Sequence, residues 1–159
     1  YTNETEAKKM KRLLILSIMA MLFLCSCSGS EPKEVYQLDL SQKEIDISGL
    51  SLTFDDLISV TKGPDNNVVI KAKIKPGVDK ESTIRKNYHN VCDLITKNGF
   101  DACSEIQYWA VADMTNGEES KVIQFTVDKN TIENIKNEKI FATQLEDYVD
   151  GLFIHPSLR

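Results

Sequence analysis

Cysteine and histidine are the residues of this chain best suited to catalysis, and they are few. The cysteines are Cys25, Cys27, Cys92 and Cys103, and the histidines are His89 and His155. His89 precedes Cys92 by three residues, a spacing that makes two side chains neighbours on a helix and could let an imidazole activate a thiol. The same helical pattern places Cys92 on the apolar side, where a thiol is usually inert. A small hydrolase or thiol redox protein is therefore the least favoured function.

Other catalytic and metal-binding patterns are missing from the sequence. It has no Gly-x-Ser-x-Gly elbow, no His-Glu-x-x-His pair, no glycine-rich phosphate loop and no calcium loop. Neighbouring carboxylates such as Asp55-Asp56 and Glu118-Glu119 are common in an acidic chain and indicate solvated surface. We therefore predict that the protein is not an enzyme and that it holds no metal or other cofactor.

The first two cysteines follow a short apolar run. Met10-Lys11-Arg12 supplies positive charge, and Leu13 to Leu24 is a nearly unbroken apolar run of 12 residues. This length is typical of a signal-peptide core, whereas a membrane-spanning helix needs about 20 residues.

Leu24-Cys25-Ser26-Cys27 resembles the lipobox of bacterial lipoproteins, which has a leucine three residues before the lipidated cysteine and a small residue directly before it. Cys27 fits better than Cys25, because Ser26 is small and Leu24 is bulky. The resemblance implies that the Cys27 thiol receives a diacylglyceryl group and that the signal peptide is then removed. Two acyl chains suffice for stable anchoring where one does not. Secretory cleavage without lipid and a retained membrane anchor are the alternatives.

This interpretation divides the chain into four parts. Residues 1–9 are an upstream extension or vector remnant, 10–26 the signal peptide, 27–34 the lipidated cysteine and a polar tether, and 35–159 a single domain. After processing, 15 lysines and arginines face 22 acidic residues, a net charge of −7. Such a domain is not attracted to nucleic acid or to anionic headgroups. We therefore predict a lipid anchor at the extracytoplasmic face of the cell membrane and no nucleic-acid partner.

The two later cysteines are separated by 10 residues in a chain that is expected to leave the cytoplasm. Oxidising compartments favour disulfides, so a Cys92–Cys103 bond is predicted. Closing this short loop would stabilise the fold by roughly 3 kcal/mol in the chain-entropy model. A pair of buried free thiols is the alternative, because cysteine packs as a small apolar residue.

The candidate binding residues are the single tryptophan and a row of lysines. Trp109 lies on a predicted strand, on the face opposite Ile106 and Tyr108, and an exposed tryptophan there would mark a partner site. Alternatively, the apolar C-terminal tail around Phe153 covers it. A second predicted strand alternates apolar residues with lysines that could contact an acidic partner or simply remain solvated: Lys71, Lys73 and Lys75.

Periodicity and turn signals predict two hairpins with a long helix between them. The predicted strands cover 56–62, 68–75, 105–114 and 121–128, and the predicted helices cover 79–98, 130–137 and about 142–149. Asp79 and Asn130 are the expected N-terminal caps of the first two helices, and Gly99 is expected to end the first. Asn116-Gly117 is the expected turn of the second hairpin. The apolar end of the chain is expected to pack on the sheet. This order predicts an α+β fold in which an antiparallel sheet of about four strands carries the long helix on one face.

Two binding functions remain open. The first is a cell-envelope lipoprotein whose non-catalytic domain binds a protein or an envelope polymer. The second is an immunity-like or inhibitor lipoprotein that protects the producing cell. The sequence does not separate them, because both act by contact.

Overall fold

The computed structural model of the chain describes residues 36, 38–75 and 77–158. The predicted signal peptide, Cys27 and the tether lie outside these residues. The helices and strands are β1 (Asp56–Lys62), β2 (Asn67–Lys73), α1 (Lys80–Lys97), β3 (Glu105–Asp113), β4 (Glu119–Asp128), α2 (Lys129–Lys136) and β5 (Asp150–Ile154).

The strands form one sheet in the order β1-β2-β3-β4-β5. Neighbours are antiparallel except β2 and β3, which are parallel. The α+β class is confirmed, but the sheet is mixed and has five strands, where an antiparallel sheet of about four was predicted. The reason is α1, which carries the chain back across the sheet so that β3 runs in the same direction as β2.

The fifth strand comes from the C-terminal tail. The helix predicted over 142–149 is reduced to a short 3-10 turn, Leu145–Tyr148, and the chain then continues as β5. β5 pairs with β4, with Phe153 opposite Gln124. Pairing with the open edge of β4 satisfies backbone groups of β5, which begins just after the residues predicted to be helical.

Both helices begin at an aspartate. At α1, the Asp79 carboxylate accepts from the Ser82 amide at 2.6 Å, as predicted, and Gly99 ends the helix with φ +78°. At α2, the carboxylate of Asp128 accepts from the Thr131 amide at 2.8 Å. The capping residue expected from sequence was Asn130, so this prediction was wrong by two positions.

The core lies between the helices and one face of the sheet. The segment before β1 adds Ile45 and Leu50 to this core and pairs with β1 through a single bridge from Glu44 to Thr61. The largest fully buried side chains come from both helices and from strands β2 to β4, with two contributed by short turns: Ile70, Tyr88, Leu94, Ile95, Phe100, Ile106, Tyr108, Ile123, Phe125, Ile132, Ile135 and Leu145.

Candidate binding surface

The sheet face opposite the helices carries the predicted tryptophan. Strand register places Lys71, Trp109, Gln124 and Phe153 side by side across β2 to β5. Phe153 is 41% exposed, and Lys71, Trp109 and Gln124 are half-buried. The tail therefore extends this face as a neighbouring strand and places Phe153 in the same row as Trp109.

Trp109 is contacted from above by a lysine that the sequence did not single out. The ammonium of Lys121 lies 4.2 Å from the centroid of the indole and also donates to the side-chain oxygen of Gln124. The indole N–H is buried and has no acceptor among the described residues. An unpaired buried donor costs about 1–3 kcal/mol, so this arrangement is not the most stable one available to a tryptophan. A β-bulge between Ala110 and Val111 lies next to this contact. No residue pattern in the sequence predicted this bulge.

The predicted lysine row is electrically neutral. Each lysine is paired with a carboxylate: Lys71 with Glu119, Lys73 with Asp113 at 2.6 Å, and Lys75 with Asp56 at 2.5 Å. These pairs are partly exposed and contribute at most about 1 kcal/mol each. Their effect is to cancel the positive charge of the row, so that it does not present a basic surface to an acidic partner.

The predicted Cys92–Cys103 disulfide is absent, and both residues are free thiols. Cys92 lies on α1, about 7.5 Å along the helix axis from the last residue, Lys97. It faces the 138–143 segment. Cys103 follows the turn after α1 and is buried in the core. The two thiols therefore occupy separate environments, on different elements.

Burial raises the pKa of both the Cys92 and Cys103 thiols to about 12. At pH 8 we expect each to react with iodoacetamide about 10³-fold more slowly than a thiol of ordinary pKa 9, because only the thiolate is nucleophilic. Peptide mapping of the full chain by mass spectrometry should show this protection. The same chain in denaturant is the control, and rapid native labelling of Cys92 would restore the thiol-chemistry hypothesis.

A cleft of about 480 Å³ lies between α1 and the segment after α2. His89 and Cys92 share one wall, and Ile135, Ile140 and the 59% exposed Phe141 line the other side. The predicted histidine–cysteine pair thus lies in a concave site, but the high pKa of the thiol opposes nucleophilic chemistry there. Sequence reasoning missed this cleft, and its only signal was the apolar Ile140-Phe141 pair after α2.

Asp55 is buried, where the sequence suggested solvated surface. It is 4% exposed, and its carboxylate accepts from the Lys75 amide at 2.8 Å and from the Asn90 side chain at 2.6 Å. The side-chain N–H of Asn90 also donates to the Tyr108 hydroxyl at 3.2 Å. Its side-chain oxygen accepts from the backbone N–H of Phe54 at 3.1 Å. Burial raises the pKa of Asp55, and the hydrogen bonds only partly offset this. This network ties the segment before β1 to α1 and β3.

Among residues 36, 38–75 and 77–158, no helix combines the length and apolar character needed to cross a bilayer. The same residues include no group of three or more His, Cys, Asp or Glu side chains placed to hold a metal ion. The absence of a metal or cofactor in the working protein stays a prediction.

Comparison with protein-family models, with curated proteins and with solved structures found no match for this chain. Its function must therefore follow from the geometry of its own residues.

Proposed function

We propose that this protein is a lipoprotein of the bacterial envelope, anchored through acyl chains on Cys27, whose non-catalytic domain binds a protein or envelope-polymer partner. The binding surface is the sheet face around Trp109. A seven-residue tether, 28–34, reaches at most about 25 Å, which holds the domain close to the membrane.

The observation that carries this proposal is the unsatisfied tryptophan on the face opposite the helices. Trp109 has a buried indole N–H that finds no acceptor in the part of the chain that the structure describes, and the exposed ring of Phe153 lies two strands away in the same row. Tryptophan is enriched among the residues that dominate binding energy at interfaces. A partner that covers this face would bury both rings.

Site-specific photocrosslinking in intact cells tests this proposal. A photoreactive residue at position 124 or 153 should crosslink to one partner, because these positions flank Trp109 on the sheet face. Trp109→Ala should reduce the crosslinking at least about tenfold, the loss expected for a hot spot.

The matched control is a photoreactive residue at position 141. Phe141 is also an exposed aromatic residue, but it lies at the cleft beside α1. Crosslinking from 141 and not from 124 or 153 would move the binding site to the cleft and contradict the proposal.

A further inference from the structure

We infer that the site over Trp109 takes an arginine side chain of a protein partner, and that Lys121 occupies the site in the unbound protein. This inference rests on the proposed function, because it names the chemistry of the partner for the same face.

The structure already holds a cation in this site. The Lys121 ammonium lies 4.2 Å from the indole centroid, within the range of about 6 Å for a cation–π contact. It also donates to the side-chain oxygen of Gln124. The ring and the amide together therefore accept a positive group that carries N–H donors. Since Lys121 is exposed and attached by a flexible stem, a ligand can displace it at small cost.

The charges around the site favour a cation once Lys121 has moved. The other lysines of this part of the sheet, Lys71, Lys73 and Lys75, are each paired with a carboxylate. Displacing Lys121 thus leaves no uncompensated positive charge among them. The chain from Cys27 onward carries a net charge of −7, which attracts positively charged partners over a longer range.

Arginine fits the two contacts better than lysine does. Its planar guanidinium stacks on an aromatic face, keeps its N–H groups in the plane for acceptors such as Gln124, and is more weakly hydrated than an ammonium. A protein partner also covers the ring of Phe153, which is 41% exposed in the same row, whereas a small free cation does not.

Trp109 is the single tryptophan of the chain, so intrinsic fluorescence reports on this site alone. The full chain in detergent is titrated with the peptide acetyl-Gly-Arg-Gly-Arg-Gly-amide and with the same peptide carrying citrulline in place of arginine. Only the arginine peptide should give a saturable change. Lys121→Ala should tighten its binding about two- to five-fold, because the competing contact of about 0.5–1 kcal/mol is gone.

Lys139→Ala removes the same charge in the turn after α2 and should leave the affinity unchanged. An equal response to the citrulline peptide, or no saturable response from the Lys121→Ala protein, overturns the inference. A partner crosslinked from positions 124 and 153 through a segment without arginine also overturns it and leaves the proposed function intact. If no crosslink forms at these positions, the proposed function fails as well.

Discussion

Serine in place of Cys27 should abolish acylation and leave the signal peptide attached. In the lipoprotein pathway that we propose for this chain, the lipid is attached through the thiol and cleavage follows lipidation, so a hydroxyl at this position blocks both steps. Labelling cells with a palmitate analogue should give a labelled wild-type band and an unlabelled, larger Cys27→Ser band. The expected loss of label is complete, because the acyl chains would be attached through the thiol that this substitution removes.

Cys25→Ser is the matched control. It changes the other cysteine of Leu24-Cys25-Ser26-Cys27 and leaves the small residue before Cys27 intact. This variant should be labelled and processed as the wild type is. Label on the Cys27→Ser protein and none on the Cys25→Ser protein would show that Cys25 carries the lipid and contradict the prediction. An absence of label on the wild type and on both variants would contradict the lipid anchor and the location inferred from it.

Asn90→Ala should lower the free energy of unfolding by about 3 kcal/mol at neutral pH. The substitution removes two donor contacts and one acceptor contact in the core and leaves the buried Asp55 carboxylate with one fewer partner. Breaking a buried network that includes a charge typically costs about 3–5 kcal/mol. Because domains of this size have only about 5–15 kcal/mol of stability, urea denaturation should show a large shift in midpoint.

The matched control for this prediction is Asn87→Ala on the same helix. Asn87 is also fully buried, but within the described residues its side-chain N–H donates only to the Thr83 carbonyl, at 2.8 Å, and its side-chain oxygen has no partner. We expect a cost of about 1 kcal/mol there. Equal losses for the two variants would show that the Asp55 network adds nothing beyond the removal of a buried amide.

The cost of Asn90→Ala should also depend on pH. Burial raises the pKa of Asp55 in the folded protein above its value in the unfolded chain, so the folded state holds this proton more strongly. The free energy of unfolding therefore falls as pH rises from the unfolded-state pKa to the folded-state pKa. The Asn90 hydrogen bond lowers the pKa of Asp55, and its removal raises this pKa further. The difference in stability between wild type and variant should therefore grow from acid toward neutral pH in denaturation curves measured across this range.

Local signals predicted the elements that depend on neighbouring residues. As expected, α1 begins after Asp79 and ends before Gly99. The β3–β4 hairpin turns at Asn116-Gly117, where Gly117 has φ +81°. Each of these outcomes depends on hydrogen bonds or backbone freedom within a few residues. The candidate site was identified only in part, because the exposure of Trp109 and the position of Lys121 depend on strands that are distant in sequence.

Within the described residues, the chain by itself determined where α1 begins and ends, where the hairpins turn and which strand face is apolar. Its N-terminal pattern also predicts a lipid anchor at Cys27. Only the tertiary structure decided that β2 and β3 are parallel, that β5 joins the sheet, that the lysine row is neutralised and that Asp55 is buried. The physical reason is that capping and turns involve adjacent residues, whereas strand pairing, ion pairs and burial depend on groups brought together by folding.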